Sequence, residues 1–292
     1  MIHFVGAGSG APDLITVRGQ RLLRAAGVVI WAGSLVNPEL LEECRPDCEL
    51  HDSSRMTLGQ VIEVMAAADA AGRDVVRLHT GDPCVYGAIR EQMDELDARG
   101  IAYEVVPGVS SFCGAAAALG AELTLPGVSQ SVILTRLAGR TPMPAGEQMA
   151  ALAAHGATMV VFLSAGMLER LGEELLAGGT YGADTPAAIV YKASWPDERV
   201  VRCTVGTLAE AGRQAGIDRT ALVLVGDVLA ACDPARPGAP GATGDALGEG
   251  VDPGLDGAAA PRGYERSRLY DPTFTTGYRA ASAPESERSG AR

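Results

Sequence analysis

VGAGSGAPDLIT, Val5 to Thr16, follows directly on the short apolar run Ile2 to Val5, and a strand feeding a glycine-rich turn is a typical opening unit of an α/β sheet. Gly6, Gly8 and Gly10 let the backbone turn tightly and let a ligand approach it closely. One reading is a dinucleotide-binding turn. Such a site needs a carboxylate about 20 residues further on, at the end of the second strand, to hold the ribose hydroxyls. The second apolar run, Val28 to Trp31, leads instead into Ala32 and Gly33, and Ala11 stands where a further glycine would be expected. A plain strand–turn–helix accounts for the loop at least as well.

Outward from this loop the pattern repeats. Short β-branched runs predict strands at Asp74 to Leu78 and Tyr103 to Val106, then Val132 to Thr135, Met159 to Leu163, Ala187 to Tyr191, Val200 to Val205 and Ala221 to Val225. Amphipathic segments between them, Leu58 to Ala71, Ala88 to Arg99, Met167 to Leu176 and Leu208 to Arg213, predict helices. Gly72 and Gly100 suit helix C-caps. The expected fold class is α/β. The small-residue helix Ser110 to Gly120, with the turn-rich stretch to Gln130, is the expected joint, dividing the chain into an α/β domain over 1–114 and another over 115–231. Residues 232–263 are dominated by Ala, Gly, Pro and Asp and read as a flexible linker. In the tail, 264–292, YERSRLYDPTFTTGYR regains aromatic character and is expected to dock on a surface.

Composition excludes several classes. With 292 residues and 47% hydrophobic content the chain can bury substantial cores. A formal charge of -12 argues against nucleic acid as a partner, because phosphate contacts need a basic surface. No apolar run approaches the roughly 20 residues of a membrane span. The opening MIHFVGAGSG lacks the basic and apolar regions of a signal peptide, so a cytoplasmic location is expected. The six cysteines are scattered without zinc-ligand spacing, so free thiols are expected and no metal site.

Two further loops sit at strand ends, where α/β sheets bind ligands. HTGDPCVYG, His79 to Gly87, offers exposed backbone at Gly81, and Asp82 can bond to nearby amides; its plain reading is an Asp-Pro turn. VVPGVSSFCGAAAALG, Val105 to Gly120, ends a strand and opens an alanine-rich helix at Ser110 and Ser111. These serines suit an N-cap and equally suit the polar groups of a nucleoside.

Taken in order, VGAGSGAPDLITVRG, GDPCVYG and VVPGVSS resemble the tetrapyrrole (corrin/porphyrin) methyltransferase family. QSVILTRLAGRTPMP, VFLSAG, AAIVYKASWPDE and the terminal LYDPTFTTGYR are similar to its branch acting at C-11 of precorrin-4 in cobalamin biosynthesis. The likeness covers residues 1 to about 230 and resumes from about 264 to 279. The family's first loop usually reads GAGPGDP, so Ser9 and Ala11 depart from it, which puts any cofactor contact made through that proline in doubt.

The resemblance implies two α/β domains forming a cleft, a homodimer, and S-adenosyl-L-methionine held by Gly81, Asp82, Val85, Ser110, Ser111, Ser164, Ala193 and Ala221. It implies a tetrapyrrole substrate whose carboxylates need cations, for which Arg18, Arg136, Arg140 and Lys192 lie in or beside the matched motifs, although a solvated surface charge is the plain reading of each. Lys192 is the chain's only lysine. No general base stands out; Asp82 and Tyr86 are the candidates, each with a structural reading. The alternatives are a methyltransferase acting at another tetrapyrrole ring carbon, a nicotinamide-dependent oxidoreductase built on the first loop, and a non-catalytic tetrapyrrole carrier.

Overall fold

Continuous apolar runs make strands that must be covered on both faces, and alternating ones make strands with one wet face. Both kinds occur here, in two five-stranded sheets. The computed structural model describes residues 1–232 together with 264, 267, 274, 275 and 277–280. The first sheet contains β1 (Ile2–Gly6), β2 (Val28–Trp31), β3 (Glu49–Asp52), β4 (Val75–His79) and β5 (Tyr103–Val106). Its order is β3-β2-β4-β1-β5 and every pairing is parallel. β1 and β4 are buried at every residue. One face packs Ile2, Phe4, Ile30 and Val75 under α2 (Leu58–Ala70) and α3 (Ile89–Ala98). The other packs Val5, Val29, Val76 and Leu78 against Leu23 of α1 (Val17–Ala25).

α2 starts on a capping box between Thr57 and Gln60, and α1 on the Thr16 hydroxyl, which accepts from the Gly19 amide. Gly72 and Gly100 follow α2 and α3 with φ of 67° and 66°, the left-handed geometry expected of them.

The second sheet contains β6 (Val132–Arg136), β7 (Thr158–Phe162), β8 (Pro186–Tyr191), β9 (Arg199–Thr204) and β10 (Ala221–Val225), in the order β6-β7-β10-β8-β9. Only β6 and β7 are parallel; the other pairs are antiparallel. α4 (Ser111–Leu119) leaves the end of β5 yet buries Ala115 and Leu119 against Val160, Phe162, Val190 and Leu222 of this sheet. The opposite face lies under α5 (Met149–Ala153), α6 (Leu168–Ala177) and α7 (Leu208–Ala215). α4 therefore crosses from one sheet to the other, and residues 114 and 115 both lie inside it.

The strand positions agree with the sequence pattern to within a residue at their ends. β3 is an addition: ELHD has no apolar run, because an edge strand with exposed Glu49 and Leu50 buries little. α5 is an addition as well, whereas α1 is the helix of the strand–turn–helix expected around the first loop. The expected linker from 233 onward and most of the docking segment, including Leu269 and Tyr270, lie outside the described residues. Tyr264 is described, and it packs partly buried against Leu125 and Val228.

Candidate active site

Three adjacent strands, β4, β1 and β5, deliver the three loops to one place. In register, Gly6 stands beside His79, and Val5 beside Val106. Gly81 and Gly108, each two residues further on, can therefore close over Gly6. A Cβ on Gly6 would lie 2.5 Å from the Gly108 Cα and 2.6 Å from the Gly81 carbonyl oxygen. Gly8 and Gly81 exchange backbone hydrogen bonds, at 3.3 Å from the Gly8 amide and 2.8 Å from the Gly81 amide. Gly81 has φ of 61°, and a side chain there would press on the Ser111 amide at 3.2 Å. The result is a cradle walled by backbone, in which a side chain on Gly6 or Gly108 would collide with the neighbouring loops.

Asp82 clips the loops together. One carboxylate oxygen accepts from the Cys84 amide at 2.8 Å, and the other accepts from the Gly108 amide at 2.9 Å. Both oxygens are thus engaged with backbone, which supports the structural reading of this residue over that of a base. Hydrogen bonds to a charged group are worth about 1.5–3 kcal/mol. Asp82→Ala is expected to lower stability by about that amount and to weaken S-adenosylhomocysteine binding, as read by thermal melting and calorimetry; a wild-type result in both would remove the clip.

The second sheet closes on the first loop through the turn between β8 and β9. The Ser194 hydroxyl lies 2.9 Å from that of Ser9 and accepts from the Ala11 amide at 3.0 Å. Gly10 abuts the Trp195 ring, and the buried Asn37 donates to the Gly10 carbonyl at 3.1 Å. Gly114 of α4 leaves room for Ser9 and Ala193. Lys192 and Ser194 both have left-handed backbone, with φ of 47° and 65°. Sequence reasoning missed Asn37, Ser194 and Trp195. Asn37 and Ser194 find their partners far along the chain, in Gly10 and Ser9, so no local pattern marks them.

The predicted residues separate into groups. Gly81, Asp82 and Ser111 meet at the cradle together with Ser110, which is buried and makes no capping bond with its side chain. Ala193 borders the first loop, and Val85 follows in the Asp82 loop, half-buried. Ala221 stands at the start of β10 beside Tyr191. Ser164 is fully buried, and its hydroxyl donates to the Phe162 carbonyl and accepts from the Leu137 amide. Tyr86 lays its ring on Phe162 with centroids 5.1 Å apart, and burial raises its phenol pKa, so it holds its proton at neutral pH. Arg136 donates to the carbonyls of Leu137, Thr141 and Pro142. Lys192 pairs with Asp197 at 2.7 Å and lies over the Trp195 ring. Arg18 and Arg140 are exposed. Among the described residues no cluster of three His, Cys, Asp or Glu could hold a metal, Cys44, Cys48, Cys84, Cys113 and Cys203 are free thiols, and no helix is long and apolar enough to cross a membrane.

A groove of about 690 Å³ lies between β3 and α2, lined by residues including Glu49, His51, Gln60 and Arg73; it shares no residue with the three loops.

Residues 1–209 match the tetrapyrrole (corrin/porphyrin) methylases. The chain belongs to this family. A cobalt-precorrin-4 C(11)-methyltransferase of Methanocaldococcus jannaschii is 46% identical over 278 residues, covering 95% of each chain. The solved structure of a cobalt precorrin-4 methyltransferase superposes with a TM-score of 0.76 at 46% identity, covering 78% of this chain and 95% of that one. A uroporphyrin-III C-methyltransferase of Thermus thermophilus, solved with S-adenosylhomocysteine, superposes at 0.65 with 29% identity over 78% of this chain and 92% of that one. Tetrapyrrole methylases use S-adenosylmethionine, and the backbone-walled cradle fits a ligand recognised through amides and carbonyls in place of a charged nucleotide signature.

Proposed function

We propose that this tetrapyrrole methylase transfers the methyl group of S-adenosylmethionine to C-11 of precorrin-4, or of its cobalt form, in cobalamin biosynthesis. The observation that carries this is the 46% identity with the archaeal C(11)-methyltransferase across 95% of both chains. The cofactor supplies a methyl group already activated on a sulfonium. Gly81, Ser110, Ser111 and Ala193 hold it through backbone and small polar groups, with Val85, Ser164 and Ala221 shaping the surroundings. Asp82 keeps the cradle closed. The chain's task is orientation, which is worth roughly 7–11 kcal/mol when the reacting atoms are well placed. Arg136, the last residue of β6, and Arg140 just beyond it are the cations for the substrate's carboxylates; Lys192 is committed to Asp197 and Arg18 stands on an exposed helix face.

The same reading carries a cytoplasmic location, supported by the free thiols and the absence of a spanning helix among the described residues, and a pairing of two copies as the family likeness implies. Purified protein given precorrin-4 and isotopically labelled S-adenosylmethionine is expected to add one labelled methyl, placed at C-11 by carbon NMR of the product. Methylation at another ring carbon would favour a sibling activity, and binding without turnover a carrier.

A further inference from the structure

Two exposed apolar side chains are held in the left-handed backbone region beside the junction of the two sheets. Leu163 is 66% exposed with φ of 52°, and Tyr86 is 45% exposed with φ of 57°. A branched side chain is disfavoured in this conformation, and an exposed leucine gains nothing from burial, so the fold holds Leu163 there against both preferences. What holds it is Ser164, whose buried hydroxyl donates to the Phe162 carbonyl at 2.7 Å and accepts from the Leu137 amide at 2.9 Å. The turn that presents Leu163 is thus locked from beneath.

Tyr86 comes from the Asp82 loop of the first sheet, and its ring rests on Phe162, the residue before Leu163. Phe162 therefore ties the Tyr86 loop of the first sheet to the Leu163 turn of the second. Next to it, Arg136 ends β6 in register with Phe162. Its guanidinium is fixed by three carbonyls, those of Leu137 at 3.3 Å, Thr141 at 3.0 Å and Pro142 at 3.1 Å, and its charge is felt at the Tyr86 phenol. A flat macrocycle edged with acetates and propionates presents an apolar plane and an anionic rim. An apolar patch beside an immobilised cation matches both.

Resting on the tetrapyrrole reading above, we propose that Leu163 and Tyr86 form the seat for the macrocycle's face, with Arg136 taking a rim carboxylate. Leu163 is then a positioning residue for the acceptor, setting how the ring carbons lie relative to the methyl donor. The loop conformation makes the test clean, because glycine suits φ of 52° better than leucine does. Leu163→Gly is expected to melt at or above the wild-type temperature.

The full-length protein and its Leu163→Gly and Tyr86→Ala variants are titrated with uroporphyrin III, an octacarboxylate porphyrin, by absorbance, and with S-adenosylhomocysteine by calorimetry. Porphyrin Kd, and KM for precorrin-4, are expected to rise about tenfold or more in each variant, while S-adenosylhomocysteine affinity stays within about twofold. Leu163→Met is expected to recover most of the porphyrin affinity. Wild-type porphyrin affinity in Leu163→Gly overturns the proposal, and so does a parallel loss of both ligands, which would mark a merely structural turn. A wild-type protein that binds porphyrin through Leu163 but leaves precorrin-4 unmethylated keeps the seat and overturns the C-11 reading alone.

Discussion

Gly6→Ala is expected to lower the melting temperature by about 6–12 °C and to weaken S-adenosylhomocysteine binding at least tenfold. The added methyl would sit 2.5 Å from the Gly108 Cα, 2.6 Å from the Gly81 oxygen and 2.7 Å from the Gly108 amide nitrogen. All three neighbours are backbone and belong to loops tied to one another, so none can rotate aside. Overpacking of this kind costs about 1–3 kcal/mol, and the upper end applies where backbone must move. At roughly 2–4 °C per kcal/mol for a chain of this size, that gives the stated shift. Displacing Gly81 and Gly108 also opens the cradle, and about 1.4 kcal/mol of lost binding is a factor of ten. Gly72→Ala is the comparison: its methyl meets nothing within 4 Å, and only the left-handed φ of 67° opposes it, at about 1–2 kcal/mol with no effect on the cofactor. Equal cofactor affinity in Gly6→Ala and wild type would show that the three-glycine contact does not shape the site.

The second large effect is on pH. His79 is 6% exposed at the end of β4, its ring 6.0 Å from that of Phe4, and its Nε2 has no hydrogen-bond partner. Burial, followed by the charge of Arg77, pushes its pKa from the ordinary 6.5 down to about 3. Arg77 is itself buried, bonded to Gln92 and the Ile30 carbonyl, and burial lowers its pKa to about 10. Between pH 6.5 and 3 the unfolded chain binds a proton at His79 that the folded chain refuses, so stability rises with pH through that window and is complete above it. The slope approaches about 1.4 kcal/mol per pH unit, or about 2 kcal/mol lost between pH 7 and pH 5. The melting temperature should fall by roughly 4–8 °C over that interval from this group alone. His79→Leu removes the titration and leaves no orphaned ring nitrogen, so its melting temperature should fall correspondingly less on acidification. Parallel curves for the two proteins would dismiss His79 as the origin.

The amino-acid sequence by itself determined the alternation of strand and helix, the three glycine-bearing loops, and the family whose motifs those loops compose. These are local properties: period, turn chemistry and motif spacing are written within a few residues of one another. The edge strand β3 escaped because an edge needs no apolar run. The tertiary structure alone decided which loops meet, since the order β4-β1-β5 is a long-range pairing that brings Gly6, Gly81 and Gly108 together. It also decided the fate of each polar group. Asp82 binds a backbone amide 26 residues away, and Ser9 finds its partner in Ser194, 185 residues away. Lys192, conspicuous in sequence as the lone lysine, is taken by Asp197, and the Ser164 hydroxyl is spent inside the fold, where it holds Leu163 out. A side chain's chemistry is legible from its residue type, but whether that chemistry faces a ligand or a neighbour depends on what the folded chain places within hydrogen-bond reach.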